Sequence, residues 1–117
     1  MGKRKSEFGE RLTTLIREAG MSQADFYMEV DIARPYFYDI LSGKVNPPPF
    51  KVQVKMIEVL ENHTEFNQER RDSFFDLAAR YREEIPADIN DLIDRHPEKW
   101  AEIRSALGKL LAAQEGE

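Results

Sequence analysis

The sequence predicts an all-α protein, and three observations carry that reading. Apolar residues recur at intervals of three and four, as in Phe8, Leu12, Leu15 and Ile16, or Trp100, Ile103, Leu107 and Leu110. Capping residues stand where the periodic stretches begin and end: Ser22 and Asn67 at starts, Gly20 and Gly43 at stops. The prolines at 47–49, 86 and 97 fall between those stretches, where a missing N–H breaks no helix.

Taken in order, residues 7–19 form the first helix. Phe8, Leu12, Leu15 and Ile16 share one face, and Glu10, Arg11, Arg17 and Glu18 the other. Ser22 caps the second, with Asp25 three residues on, and Phe26 and Val30 are its buried face. Asp31 follows, short enough to take a left-handed turn. The third helix begins near Arg34 with Pro35 in its first turn, buries Phe37, Ile40 and Leu41, and closes at Gly43. Residues 44–49 are a rigid proline loop. The fourth helix, about Pro49 to Leu60, presents Phe50, Val54, Ile57 and Leu60 as its stripe, and residues 61–64 read as a boundary. A fifth spans Asn67 to Glu83, with Phe74, Leu77, Ala78, Tyr81 and Ile85 on one side. Pro86 interrupts, and a short helix carries Ile89, Leu92 and Ile93. The last helix, from Pro97, repeats like a heptad but for barely two heptads, too few for a coiled coil.

A chain of 117 residues suits one domain, or a small domain with an extension. It has no cysteine, which removes disulfides, thiolate metal sites and thiol nucleophiles, and fits a reducing, cytoplasmic location. No apolar run approaches the ~20 residues of a membrane span. An enzyme is not expected. His63 and His96 stand at helix boundaries, with no phosphate-cradling glycine loop, catalytic triad or metal-ligand spacing near them. Asp88, Asp91 and Asp94 read as a solvated acidic face. No cofactor and no metal are implied.

The stretch from Gly20-Met21-Ser22-Gln23 through Phe26, Val30, Ile32, Phe37 and Ile40 to Ser42-Gly43-Lys44 resembles the helix-turn-helix of the Cro/repressor-type (XRE) family of DNA-binding transcriptional regulators. Tyr27 stands where that family usually has a small residue, and Asp31 where it has glycine. The resemblance implies a repressor-like four- to five-helix DNA-binding domain over residues 1–62, with a helical extension over 63–117 for dimerisation or partner binding. It implies a sequence-specific regulator, most simply a repressor, whose third helix (about residues 34–42) enters the major groove of an operator. By position, Arg34, Pro35, Tyr38 and Asp39 then meet the bases. Arg34 suits guanine O6 and N7, and Asp39 the amino group of cytosine. Gln23, Tyr36, Ser42 and Lys44 meet the DNA backbone. Lys3, Arg4 and Lys5 form an N-terminal arm able to follow phosphate or a minor groove.

Charge weakens the footprint. Net charge is −5, but residues 1–60 hold nine Lys/Arg against eight Asp/Glu, and residues 61–117 hold eight against fourteen. The reading half is therefore near neutral and the acid lies beyond it. The rival reading is a protein–protein adaptor or antitoxin-like module that keeps the helix-turn-helix as a scaffold and engages a protein partner through 63–117. The amphipathic C-terminal helices must cover their faces on the N-terminal domain or on a second copy of the chain; a homodimer is expected, as the commonest assembly and because two copies one DNA turn apart roughly double the binding free energy.

Overall fold

Seven α-helices and one short 3-10 turn make up the computed structural model, which describes residues 6–115; no strand occurs among them. The helices are α1 (Glu7–Glu18), α2 (Gln23–Val30), α3 (Arg34–Ser42), α4 (Phe50–Glu61), α5 (Gln68–Arg82), α6 (Ala87–Asp94) and α7 (Trp100–Glu115), with the 3-10 turn at Pro97–Lys99. They divide into two compact units, Met1–Ala87 and Asp88–Glu117. Lys3, Arg4 and Lys5 lie outside the described residues.

The first unit holds every buried apolar side chain of the described chain, from Phe8 to Ala79. Local chemistry starts its helices as the caps predict. Ser6, Ser22 and Asn67 each accept a hydrogen bond from the backbone N–H three residues on, at 2.8, 3.0 and 2.9 Å. The centre is aromatic: Phe8 against Phe74 at 5.2 Å between ring centroids, and Phe26 against Phe37 at 6.0 Å. Burying each such ring contributes about 1.5–3 kcal/mol. α1 lies so close to the end of α3 that a Cβ on Gly9 would stand 2.0 Å from the Leu41 carbonyl oxygen. Ser6 adds a backbone bond to the same carbonyl at 3.1 Å.

The first compact unit runs past residue 62, to Ala87. α5 belongs to the first core: Phe74, Phe75, Leu77 and Ala78 are buried in it. Polar contacts join α5 to α1 as well. Arg70 pairs with Glu18 at 3.0 Å, Arg11 donates to Ser73 at 3.3 Å, and Tyr81 donates to Glu7 at 3.3 Å. A chain ending at 62 leaves the α1 face uncovered. Two corrections concern faces. In α4 the buried set is Gln53, Met56, Ile57, Val59 and Leu60, and Phe50 and Val54 are only half-buried at its edge. In α5 the apolar face stops at Ala79, and Tyr81 and Ile85 are exposed.

The second unit is a short helix, a tight turn and a longer helix. Arg95 pairs with Asp91 at 2.9 Å, and the Trp100 indole N–H donates to the Ile93 carbonyl at 2.7 Å. None of its described side chains is buried. No described helix in either unit is long and apolar enough to cross a membrane.

Candidate nucleic-acid interface

α2 and α3 are joined by three residues, Asp31 to Ala33, and the turn is set by the backbone of Asp31. Its φ of 69° and ψ of 47° are left-handed, a conformation that Asp tolerates better than most residues. The N–H of Asp31 bonds to the carbonyls of Tyr27 and Met28, and that of Ile32 to Tyr27 at 3.1 Å. Those bonds satisfy the last carbonyls of α2 and swing the chain into α3. Gly43, at φ 83°, ends α3 in the same way.

α3 begins without a side-chain cap. Ala33 stands at the N-cap, Pro35 follows in the first turn, and no acid is present there. Its first amide groups and the positive end of its dipole are left without an acidic partner, and Arg34 adds a cation. This is an unfavourable arrangement in isolation and a favourable one beside an anion.

Three of the sequence-predicted residues meet on this edge. The Arg34 guanidinium carbon lies 5.8 Å from the centroid of the Tyr38 ring, within cation–π reach. The Tyr38 hydroxyl donates to Oε1 of Gln23, at the first turn of α2, at 3.2 Å. Arg34, Pro35 and Tyr38 are exposed, and Tyr38 stays accessible at 40%. Tyr27, bulky where a small residue was anticipated, supports this edge from below. It packs on Phe37 at 5.3 Å and meets Tyr38 at 6.3 Å, edge to face. The ring thus touches both the buried Phe37 and the exposed Tyr38.

The other expected contacts are placed differently. Asp39 is half-buried, and its carboxylate pairs with no described residue. Ser42 donates its hydroxyl to the Asp39 carbonyl at 3.2 Å and accepts from the Lys44 N–H at 3.3 Å, so it shapes the exit of α3. Lys44 itself is exposed. Tyr36 turns away from the Arg34–Tyr38 edge and packs against the core, beside Arg82. Burial pushes its phenol above the ordinary value near 10, and the Arg82 charge opposes that rise.

Two residues outside the predicted set hold the proline loop. Arg82 donates to the Pro47 carbonyl at 2.9 Å, and Gln53 donates to the Pro48 carbonyl at 2.7 Å. A run of prolines supplies carbonyls and no N–H groups, so donors must come from elsewhere in the fold. No sequence signal links Arg82 to a loop 35 residues earlier. Gln53 had one, as the uncharged polar residue between Val52 and Val54 in a helix whose other polar residues are all charged. Among the described residues no group of His, Cys, Asp and Glu is placed to hold a metal ion. In comparisons with known proteins, no family model, no curated protein and no solved structure matches the chain.

Proposed function

We propose that the chain is a sequence-specific DNA-binding transcriptional regulator of the repressor-like type, with α3 as its reading helix. It acts in the cytoplasm, without catalysis and without a cofactor, most simply by occupying an operator. One observation carries this reading. Gln23, Arg34 and Tyr38 are the residues that such a role needs at the backbone and the bases, and they share one exposed, hydrogen-bonded edge. The guanidinium is held over an aromatic face, which lowers the entropy lost when it meets a base pair. Lys44 at the other end of α3 suits a phosphate.

The test is selection of bound sequences from a pool of random duplexes, followed by titration of variants. A short enriched motif containing a guanine is expected. Arg34→Ala should cost about 1–3 kcal/mol on that motif and relax preference at one base pair. Lys44→Ala should weaken all duplexes alike and make the salt slope shallower by about one unit. Absence of any enriched sequence would overturn the proposal. It would favour the adaptor reading, which draws on the exposed apolar residues of α6 and α7.

A further inference from the structure

We propose that Arg82, at the end of α5, is a positioning residue for duplex binding: it holds the loop after α3 at Pro47 and so fixes where Lys44 is presented. The proposal rests on the reading of α3 and Lys44 as the duplex-facing edge. The loop is anchored on both sides of Lys44. On the α3 side the Asp39 carbonyl accepts from the Ser42 hydroxyl at 3.2 Å and from the Val45 N–H at 3.4 Å. On the far side Gln53 donates to Pro48 at 2.7 Å, and Arg82 to Pro47 at 2.9 Å. The Gln53 bond closes on the helix that follows directly. The Arg82 bond comes from 35 residues away and ties the loop to α5. Pro47 is itself buried, where a carbonyl stripped of its donor is costly.

The guanidinium is aimed by the chain just beyond it. Glu83 ends α5 in the left-handed region, at φ 56° and ψ 46°, and the Glu84 N–H donates back to the Ala79 carbonyl at 3.1 Å. That turn brings the Glu84 carboxylate onto Arg82, where it accepts from Nε at 2.9 Å and from Nη2 at 3.2 Å. Nη1 is left for Pro47. Only a planar fork can serve both directions at once. Arg70, Arg71 and Arg80 of the same helix pair with the carboxylates of Glu18, Glu61 and Glu7. Among the described residues Arg82 is the arginine of α5 that reaches a backbone carbonyl. Its charge also acts on the phenol of Tyr36, so it stands beside α3 as well as beside the loop.

A lysine on a loop that wanders loses that freedom when it meets a phosphate, and the loss is subtracted from affinity. A loop already held at both ends loses less. Arg82 therefore strengthens the Lys44 contact without touching the duplex and without selecting a base. Glu84, an acid, strengthens it too, by fixing the direction in which Arg82 points.

Two measurements on the full chain test this. Hydrogen exchange needs no DNA: Arg82→Ala should speed the Lys44 and Val45 amides at least ~10-fold while those of α1 and α2 keep their protection. Loss of fold alone would speed all of them together. Titration with the enriched duplex gives the second. Arg82→Ala should bind about 5-fold more weakly, with a salt slope about one unit shallower and an unchanged base preference. Adding Lys44→Ala to it should cost less than ~2-fold more, because the two residues act through one contact. Arg82→Lys keeps the charge and one donor, and should recover part of both the protection and the affinity. Glu84→Gln decides by sign. If net charge governed binding, removing an acid would tighten it; here it should weaken binding about 2- to 3-fold, as the guanidinium loses its aim. Loop amides indifferent to Arg82, fully additive Arg82 and Lys44 losses, or a Glu84→Gln that binds more tightly would each overturn the inference. A chain that enriches no duplex would instead overturn the regulator reading, and the exchange comparison tells the two failures apart.

Discussion

Gly9 and Gly108 both lie inside helices, yet their surroundings differ completely. A Cβ on Gly9 would strike the backbone of Leu41, at 2.0 Å from its oxygen and 2.8 Å from its Cα. A Cβ on Gly108 would meet nothing within 4 Å. The pair summarises the two units. In the first, each apolar face meets another face of the same chain, and even backbone approaches backbone. In the second, amphipathic helices of similar design meet no core of their own. Similar periodicity thus serves two ends: closing a fold in one place and offering a surface in the other. What separates them is not the pattern but whether enough neighbouring chain exists to complete it.

The sharpest way to break this contrast is to cut the chain. Ending it after residue 87 should leave the first unit folded, with far-UV circular dichroism and a cooperative melt close to those of the full chain. Ending it after residue 62 removes Phe74, Phe75 and Leu77, each worth about 1.5–3 kcal/mol of burial. Set against a total stability of about 5–15 kcal/mol, that loss should abolish the cooperative melt. A folded, melting 1–62 fragment would show that α5 decorates the core and does not complete it.

The two glycines give the next test. Gly9→Ala should destabilise the first unit by about 3 kcal/mol, because the obstructing atoms are backbone and cannot rotate aside. Gly108→Ala should instead strengthen α7 by about 1 kcal/mol of helix propensity, read as slower amide exchange along that helix. If both substitutions stabilised, the close crossing of α1 and α3 would be wrong.

The sequence was legible where a residue's own backbone preference decides the outcome. Ser22 and Asn67 cap, Asp31 and Gly43 turn left-handed, and Phe26, Val30, Phe37, Ile40 and Leu41 point inward. All of these follow from local chemistry or from a spacing of three and four. It was opaque where a distant group sets the demand. α4 carries apolar residues on two overlapping stripes, and the choice between them falls to the Pro48 carbonyl, which draws Gln53 into the core. Gly9 resembles any tolerated helical glycine until Leu41 is placed against it. The role of α5 was missed because a polar turn at 61–64 resembles a linker, although Phe66 just beyond it is already buried. At the candidate interface, the residue types of Gln23, Arg34 and Tyr38 were readable singly. Their hydrogen bond and cation–π contact belong to the crossing of two helices and were not.

The smallest effect probes how tightly the first unit is closed at its edge, where Tyr36 meets Arg82. The folded chain holds the Tyr36 phenol above its unfolded value, with burial the larger cause. A group whose folded pKa is raised contributes stability in full below its unfolded pKa, near 10 here, and loses it as pH climbs through the folded value. Between those points the folded state keeps a proton that the unfolded state has released, so stability falls with rising pH. Tyr36→Phe should therefore flatten the decline of melting temperature above pH 10 while changing little at neutral pH. Arg82→Ala should act in the opposite sense. With the opposing cation gone, the phenol is pushed higher and the decline steepens. All other groups are common to the three proteins, so their contributions cancel in the comparison. Parallel curves for the three would mean that Tyr36 is as open to water as the residues of the second unit, and that the first unit is less closed on this side than its core.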